Sequence, residues 1–249
     1  MFAMARPAYP KENHLLAALP EADWQRWQPQ LEWVDMPLAQ VLYETGSLLT
    51  HVYFPTSASV SLTCVTDDGK SVEVAVVGNE GLVGISVFMG GNWTVGRAVV
   101  QSAGKGVRLK AEVLKDGFSQ APRVQDLLLR YTQALIAQIT QTVACSRHHS
   151  LGQQLCRWLL LALDRLRGNE LETTPELIAD LIGGTREGVK EEVRILQAAE
   201  LIDCGARRIS VLDREGLERR VCECYAVVKK EYNRLLPDQR QHRRRDSDH

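Results

Sequence analysis

No stretch of this chain approaches the roughly 20 consecutive apolar residues of a membrane-spanning helix. The opening MFAMARPAYPKEN carries no sustained hydrophobic segment behind its first positive residue. Neither a membrane span nor a signal peptide is expected, so the chain is expected in the cytoplasm, with no membrane partner. A basic excess is also missing, since the 249 residues carry a formal net charge of −1. That argues against strong nonspecific attraction to polyanions, but a local basic face remains compatible with it. The strand-rich first half holds His51 and no His-x-His pair, which disfavours a metal-dependent barrel enzyme of the cupin type. No Ser-His-Asp set and no paired carboxylates stand out, so no enzymatic activity and no catalytic residue are expected. The six cysteines, Cys64, Cys145, Cys156, Cys204, Cys222 and Cys224, are scattered, and reduced thiols are the default. Cys222 and Cys224 fall in what reads as one helix, where i and i+2 point to different sides, so no metal pair is expected there. His148 and His149 could bind a metal beside Cys145; complementing a helix dipole is the favoured role. No metal site is expected.

What is present is an ordinary globular composition, 45% hydrophobic and 24% charged, enough for one or two cores. The most informative stretch is Thr173 to Ile202. Thr174 is placed to cap a helix, Pro175 to occupy its first position and Glu176 to face its positive end. Leu177, Ile178, Leu181 and Ile182 are expected on one apolar face, and Gly183-Gly184 to end the helix. Thr185 then caps a second helix whose buried side should carry Val189, Val193, Ile195, Leu196 and Ala199. A basic hairpin follows across 203–212, with Ile209 and Val211 pointing inward. Helix, glycine turn, helix and hairpin form the pattern of a winged helix-turn-helix, with an ordinary helical hairpin as the alternative.

Upstream, residues 1–13 read as a loose arm and 13–19 and 20–24 as short helical stretches. Short strands follow across 31–49, 51–65, 72–76 and 98–109, with turns at Glu44–Ser47 and Asp67–Lys70 and glycine-rich corners. That spacing predicts a small β-barrel or jelly roll. The period then switches to helical at 110–118 and again at 124–147. In this long helix Leu128, Leu135 and Thr142 recur at seven, with Tyr131 and Ile139 between them, a seam suited to pairing with a second copy. Packing onto its own barrel is the alternative. Further helices are expected at 150–166 and 214–236, with a polar tail at 238–249.

A small barrel, a long helix and a winged helix-turn-helix, in that order, resemble the Crp/Fnr family of bacterial transcription regulators. VYFPTSASVSL (52–62) looks like the family's barrel signature, GNEGLVGISVF (78–88) resembles its glycine-rich turn, and GGTREGVKEEVRILQAAELI (183–202) is similar to its recognition motif. The resemblance implies an α+β chain: a sensor barrel of the double-stranded β-helix kind (14–121), a dimerisation helix (122–147) and a winged helix-turn-helix with an extra C-terminal helix (148–236). It also implies a dimeric, sequence-specific DNA-binding transcription regulator. The expected partners are double-stranded DNA, a second copy of the chain, RNA polymerase and a small-molecule effector.

By the same resemblance, Arg186 and Glu187 match the family's base readers; Arg can grip guanine O6 and N7, and Glu can accept from a cytosine amino group. The family's next reader, usually Arg, falls on Glu191, and Gly188 replaces the common Thr or Ser. Thr185, Lys190, Arg194 and Arg207 complete the expected DNA-binding set, with phosphate contacts from Lys190 and Arg194. Candidate effector residues are Glu80, Gly84, Arg97 and Ala98. In the cyclic-nucleotide binders a Glu after a Gly holds the ribose and an Arg holds the phosphate. Ile85 stands where that Glu belongs, so no cofactor is expected and the effector is expected not to be cyclic AMP. A cyclic-nucleotide-responsive regulator and a ligand-independent DNA binder are the alternatives.

Overall fold

The computed structural model describes residues 9–91, 93–165 and 168–236. The expected polar tail and the first eight residues of the arm lie outside these. Residues 10–13 are not loose. Asn13 is fully buried; its side-chain amide donates to the carbonyls of Pro55 (2.9 Å) and Gly81 (2.7 Å), and its oxygen accepts from the Leu15 and Leu16 N–H groups. One side chain thus caps α1 (His14–Ala17) and ties it to two segments of the strand-rich part. After it, α2 (Glu21–Trp27) buries Trp24 and Trp27.

Seven strands follow: β1 (Glu32–Met36), β2 (Val41–Tyr43), β3 (His51–Pro55), β4 (Ser59–Val65), β5 (Ser71–Val77), β6 (Arg97–Ser102) and β7 (Gly104–Lys110). They form two antiparallel sheets, ordered β1-β7-β3 and β2-β6-β4-β5. Val52, Phe54, Val60, Val100, Val107 and Leu109 from the two sheets join one core. The fold class is the expected α+β, with a β-rich N-terminal part, a long helix and a helix-turn-helix at the C-terminal end.

After α3 (Ala111–Gln120), Pro122 opens α4 (Pro122–His148), 27 residues and about 40 Å long. The expected dimer seam does not face outward. Leu128, Tyr131 and Leu135 are all at most 1% exposed, and the Tyr131 hydroxyl donates to the Leu82 carbonyl at 2.8 Å. A second stripe takes the solvent side: Leu129, Ile136 and Val143 are 49%, 51% and 61% exposed. Both stripes repeat at seven, and periodicity cannot say which one the protomer keeps.

Beyond the helix end, Ser150 forms a capping box with Gln153 and opens α5 (Leu151–Leu163), buried from Leu155 to Leu163. A helix buried all round is the centre of its domain. Around it lie β8 (Glu170–Leu171), α6 (Pro175–Ile182), α7 (Arg186–Ala198), β9 (Ile202–Cys204), β10 (Ile209–Val211), α8 (Arg214–Arg220) and α9 (Glu223–Leu235). β8 adds a third strand to the expected hairpin, in the order β8-β10-β9.

The single helix expected over 214–236 is two. Val221 and Cys222 adopt extended backbone between α8 and α9, with Cys222 at the start of α9. Neither Gly nor Pro marks the break, which the sequence therefore hides. The junction is held by Tyr225, whose hydroxyl meets Arg214 Nη2 (2.7 Å) and donates to Asp164 Oδ2 (3.0 Å). α9 then runs back along α4. Among the described residues no helix is long and apolar enough to cross a membrane.

Candidate nucleic-acid interface

Local chemistry builds the two-helix unit as the sequence predicts. Thr174 Oγ1 accepts from the Leu177 N–H (3.3 Å), Pro175 begins α6, and Gly183 takes φ +73°, the left-handed stop that favours glycine. Thr185 Oγ1 accepts from the Gly188 N–H at 3.1 Å and starts α7. Gly188 has a packing reason, since a Cβ there would lie 2.9 Å from Leu151 and 2.8 Å from Thr185 Oγ1. The inward face of α7 is Val189, Val193 and Leu196, while Ile195 is 44% exposed. On α6, Ile178 and Ala179 are buried and Leu177 is 52% exposed. The two sequence stripes were drawn one residue too wide, because a short helix buries a narrower sector than its apolar residues span.

The outward face of α7 carries Arg186, Glu187, Lys190, Glu191 and Arg194, all exposed and one or two turns from the helix start. Each cation has an acidic partner. Arg186 meets Asp180 at 3.3 Å, Lys190 meets Glu176 at 2.8 Å, and Arg194 meets Glu191 at 3.4 Å. The Lys190 ammonium, with backbone and Thr174 hydrogen bonds, holds the Glu176 carboxyl down at about 2. The face is thus neutralised by the protein's own carboxylates, which fits a net charge of −1. Solvent screens exposed pairs of this kind and leaves them weak, so a phosphate can replace the carboxylate at little cost. Arg207 sits exposed in the β9–β10 turn, where the Gly205 N–H donates to the Arg208 carbonyl at 2.8 Å. Arg208 pairs with Glu170 at 3.2 Å.

The expected effector residues are engaged elsewhere. Glu80 Oε1 accepts from Arg165 Nε at 2.7 Å and from the Gly78 N–H at 3.2 Å, which turns the carboxylate toward α5. Arg97 pairs with Glu44 at 3.1 Å, Ala98 is fully buried in the core, and Gly84 occupies a turn at φ +109° against Val52 and Leu49. Tyr131 fills the space between α4 and the 78–84 turn.

What sequence reasoning missed is the junction of sensor and reader. Arg165, just past α5, has its side chain 5% exposed and bonds Glu80 of the sensor, the Leu161 carbonyl (2.6 Å) and Gln138 Oε1 of α4 (3.1 Å). Tyr232 of α9 donates to the same Gln138 oxygen at 3.1 Å. α6 itself packs along β5. Next to this junction Glu73 of β5 is buried and accepts from Ser61 Oγ and from Gln101 Nε2 (3.0 Å).

Burial pushes the Glu73 carboxyl up to about 7, against the opposing pull of Ser61, Arg157, Arg165 and Trp158. A raised folded pKa means stability is complete below about pH 4.5, falls as pH rises toward about 7, and is flat beyond. The expected loss reaches up to about 3 kcal/mol. Glu73→Gln should flatten that slope and raise the urea midpoint at pH 8; an unchanged pH profile would show that the buried carboxyl is ionised.

A buried core helix, a capped reading helix with a polar face and a three-stranded wing define the winged helix-turn-helix class of DNA-binding domains. Residues 153–220 match the Crp-like helix-turn-helix domain model. The chain is 23% identical over 182 residues to the global nitrogen regulator of Nostoc sp., covering 69% of this chain and 81% of that one. It is 22% identical over 199 residues to the CRP-like cAMP-activated global transcriptional regulator of Mycobacterium tuberculosis, covering 77% and 88%. The structure of FixK2 from Bradyrhizobium japonicum superposes with a TM-score of 0.65 at 16% identity, over 77% of this chain and 98% of that one. Residues 153–220 are thus a Crp-like helix-turn-helix domain, and over most of its length the chain is similar to transcription regulators of the Crp/Fnr family.

Proposed function

We propose that this protein acts as a homodimer that reads a near-palindromic operator with α7. The supporting observation is the polar outer face of α7, free of the protein's own packing and carrying Arg186 and Glu187 in its first turn. Arg186 would read a guanine and Glu187 a cytosine amino group, with Lys190, Arg194 and Arg207 on phosphates. Glu191, where the family usually carries Arg, repels phosphate and disfavours guanine at its position, so the half-site differs from the family's usual one. Footprinting on genomic fragments is expected to give a symmetric protected site with half-sites about one helical turn apart. Protection without symmetry, or none at all, would defeat the proposal.

The two-fold axis would run along α4 through Leu129, Ile136 and Val143. Burying an isoleucine contributes about 1.5–3 kcal/mol, and a two-fold interface counts it twice. Ile136→Glu is therefore expected to raise the dimer dissociation constant about 100-fold or more, read by analytical ultracentrifugation; a dimer of unchanged affinity would move the axis off this stripe. An effector would act by changing the population of the arrangement in which Arg165 holds Glu80. The Tyr131 ring packed against Gly81 and the Arg165–Glu80 pair favour a ligand other than cyclic AMP, and RNA polymerase would be the further partner.

A further inference from the structure

Three of the six cysteines collect at one place, with a histidine. Cys145 lies on the last turn of α4 and His149 just past its end, with Cys222 at the start of α9 and Cys224 in its first turn. Cys145 Sγ is 3.5 Å from Cys222 Sγ, though 77 residues separate them in sequence. Cys224 Sγ is 3.6 Å from His149 Nδ1. All four donor atoms fall within 4.8 Å of one another. The sequence objection to a Cys222–Cys224 pair assumed one continuous helix; the break at Cys222 removes it, because Cys222 has extended backbone while Cys224 is helical.

We propose that these four side chains form a Cys3His site for a single zinc ion. In a tetrahedral site with Zn–S near 2.3 Å, neighbouring thiolates sit about 3.8 Å apart. The spacing found here is close to that, and it is too tight for thiolates bound to the separate irons of a cluster. Three thiolates and an imidazole are the donor set of closed structural zinc sites.

The surroundings fit. His149 Nε2 is 3.2 Å from Glu223 Oε1, the outer carboxylate that fixes a ligating imidazole with its other nitrogen turned to the metal. Three thiolates with Zn2+ carry a net charge of −1, opposite in sign to the mostly buried Arg157, which donates to Thr142 Oγ1 one helical turn before Cys145. Apolar packing does not account for the group. Cys145, Cys222 and Cys224 form a cluster of their own outside the main hydrophobic core, with Val221 as its partly buried neighbour. At 0%, 3% and 2% exposure they are also poorly placed as a surface redox sensor. A zinc ion here would pin α9 to the end of α4, at the segment where the long helix gives way to the reading domain. The site does not involve the outer face of α7, so its failure would leave the DNA-reading proposal untouched.

The test is metal analysis of the full-length protein, purified under reducing conditions and reconstituted with zinc. About one zinc per chain is expected. Cys145→Ser and Cys222→Ser are each expected to lower it about tenfold or more, and Cys64→Ser to leave it unchanged. Glu223→Gln should keep the stoichiometry but weaken zinc about 10- to 100-fold against a competing chelator, an effect that a mere cluster of buried thiols would not show. Cobalt added to the wild-type apoprotein should give the visible bands of a tetrahedral ion with thiolate charge transfer, which decides the matter even where the cysteine variants fail to fold. A wild-type protein that takes up no zinc and shows no such spectrum would overturn the proposal, as would zinc fully retained by folded Cys222→Ser.

Discussion

Arg165→Met is expected to destabilise the protein by about 3–5 kcal/mol, the typical cost of breaking a buried, hydrogen-bonded ion pair by removing one partner. The reason is the company Arg165 keeps. Its three donors serve a carboxylate on the sensor, an amide on the long helix and a carbonyl on α5, and its guanidinium lies over the Tyr232 ring at 5.9 Å from the centroid. Methionine fills much of the volume but leaves Glu80, whose side chain is 16% exposed, as an uncompensated charge. Arg165→Lys should recover part of the loss, since an ammonium keeps the charge but cannot span the same fork. Urea unfolding at neutral pH gives the number. A change within about 0.5 kcal/mol, the range of an ordinary surface substitution, would mean that the junction opens freely in solution. Since the partners lie on different elements, limited proteolysis should also accelerate between α5 and β8.

The second large effect concerns recognition. Arg186→Ala should cost about 1–3 kcal/mol per half-site and act twice on a symmetric operator, weakening binding about 30-fold or more. The loss should be confined to the cognate site and accompanied by relaxed preference at one base pair. Lys190→Ala makes the contrast. A phosphate contact weakens every sequence alike and lowers the salt slope by about 1. Competition between the footprinted operator and a scrambled duplex, at two salt concentrations, separates the two behaviours. If Arg186→Ala lost as much on scrambled DNA, Arg186 would be a backbone contact and the base reading would have to lie elsewhere on α7.

These expectations were unevenly legible in the sequence. Caps, turns and strand alternation are local, and they placed α6, α7, the β9–β10 hairpin and the strands over 51–65 and 72–76 within a residue or two, while β8 went unseen. Facing is not local. The long helix offers two apolar stripes, and only packing against Leu82 and the sheets reveals that Tyr131 belongs inside and Ile136 outside. Leu177 and Ile195 were placed inward on the same incomplete grounds. Long-range pairing was invisible: nothing in the neighbourhood of Glu80 announces Arg165, and nothing near Cys145 announces Cys222. The reading face was legible in its residue types but not in its pairing, because Asp180 and Glu176 lie on the preceding helix.

The return of α9 along α4 has a mechanical consequence. A reading domain joined only at residues 149–150 would be a lever free to swing on one pivot. Here Arg130 donates to the Leu235 carbonyl at 3.3 Å and Tyr232 grips Gln138, so the end of the chain braces the arm against its own shaft. A braced arm trades reach for stiffness. In the proposed dimer, two such arms on one axis would hold their reading helices at a set distance, and the operator's spacer would become a dimension the protein measures as strictly as the bases themselves.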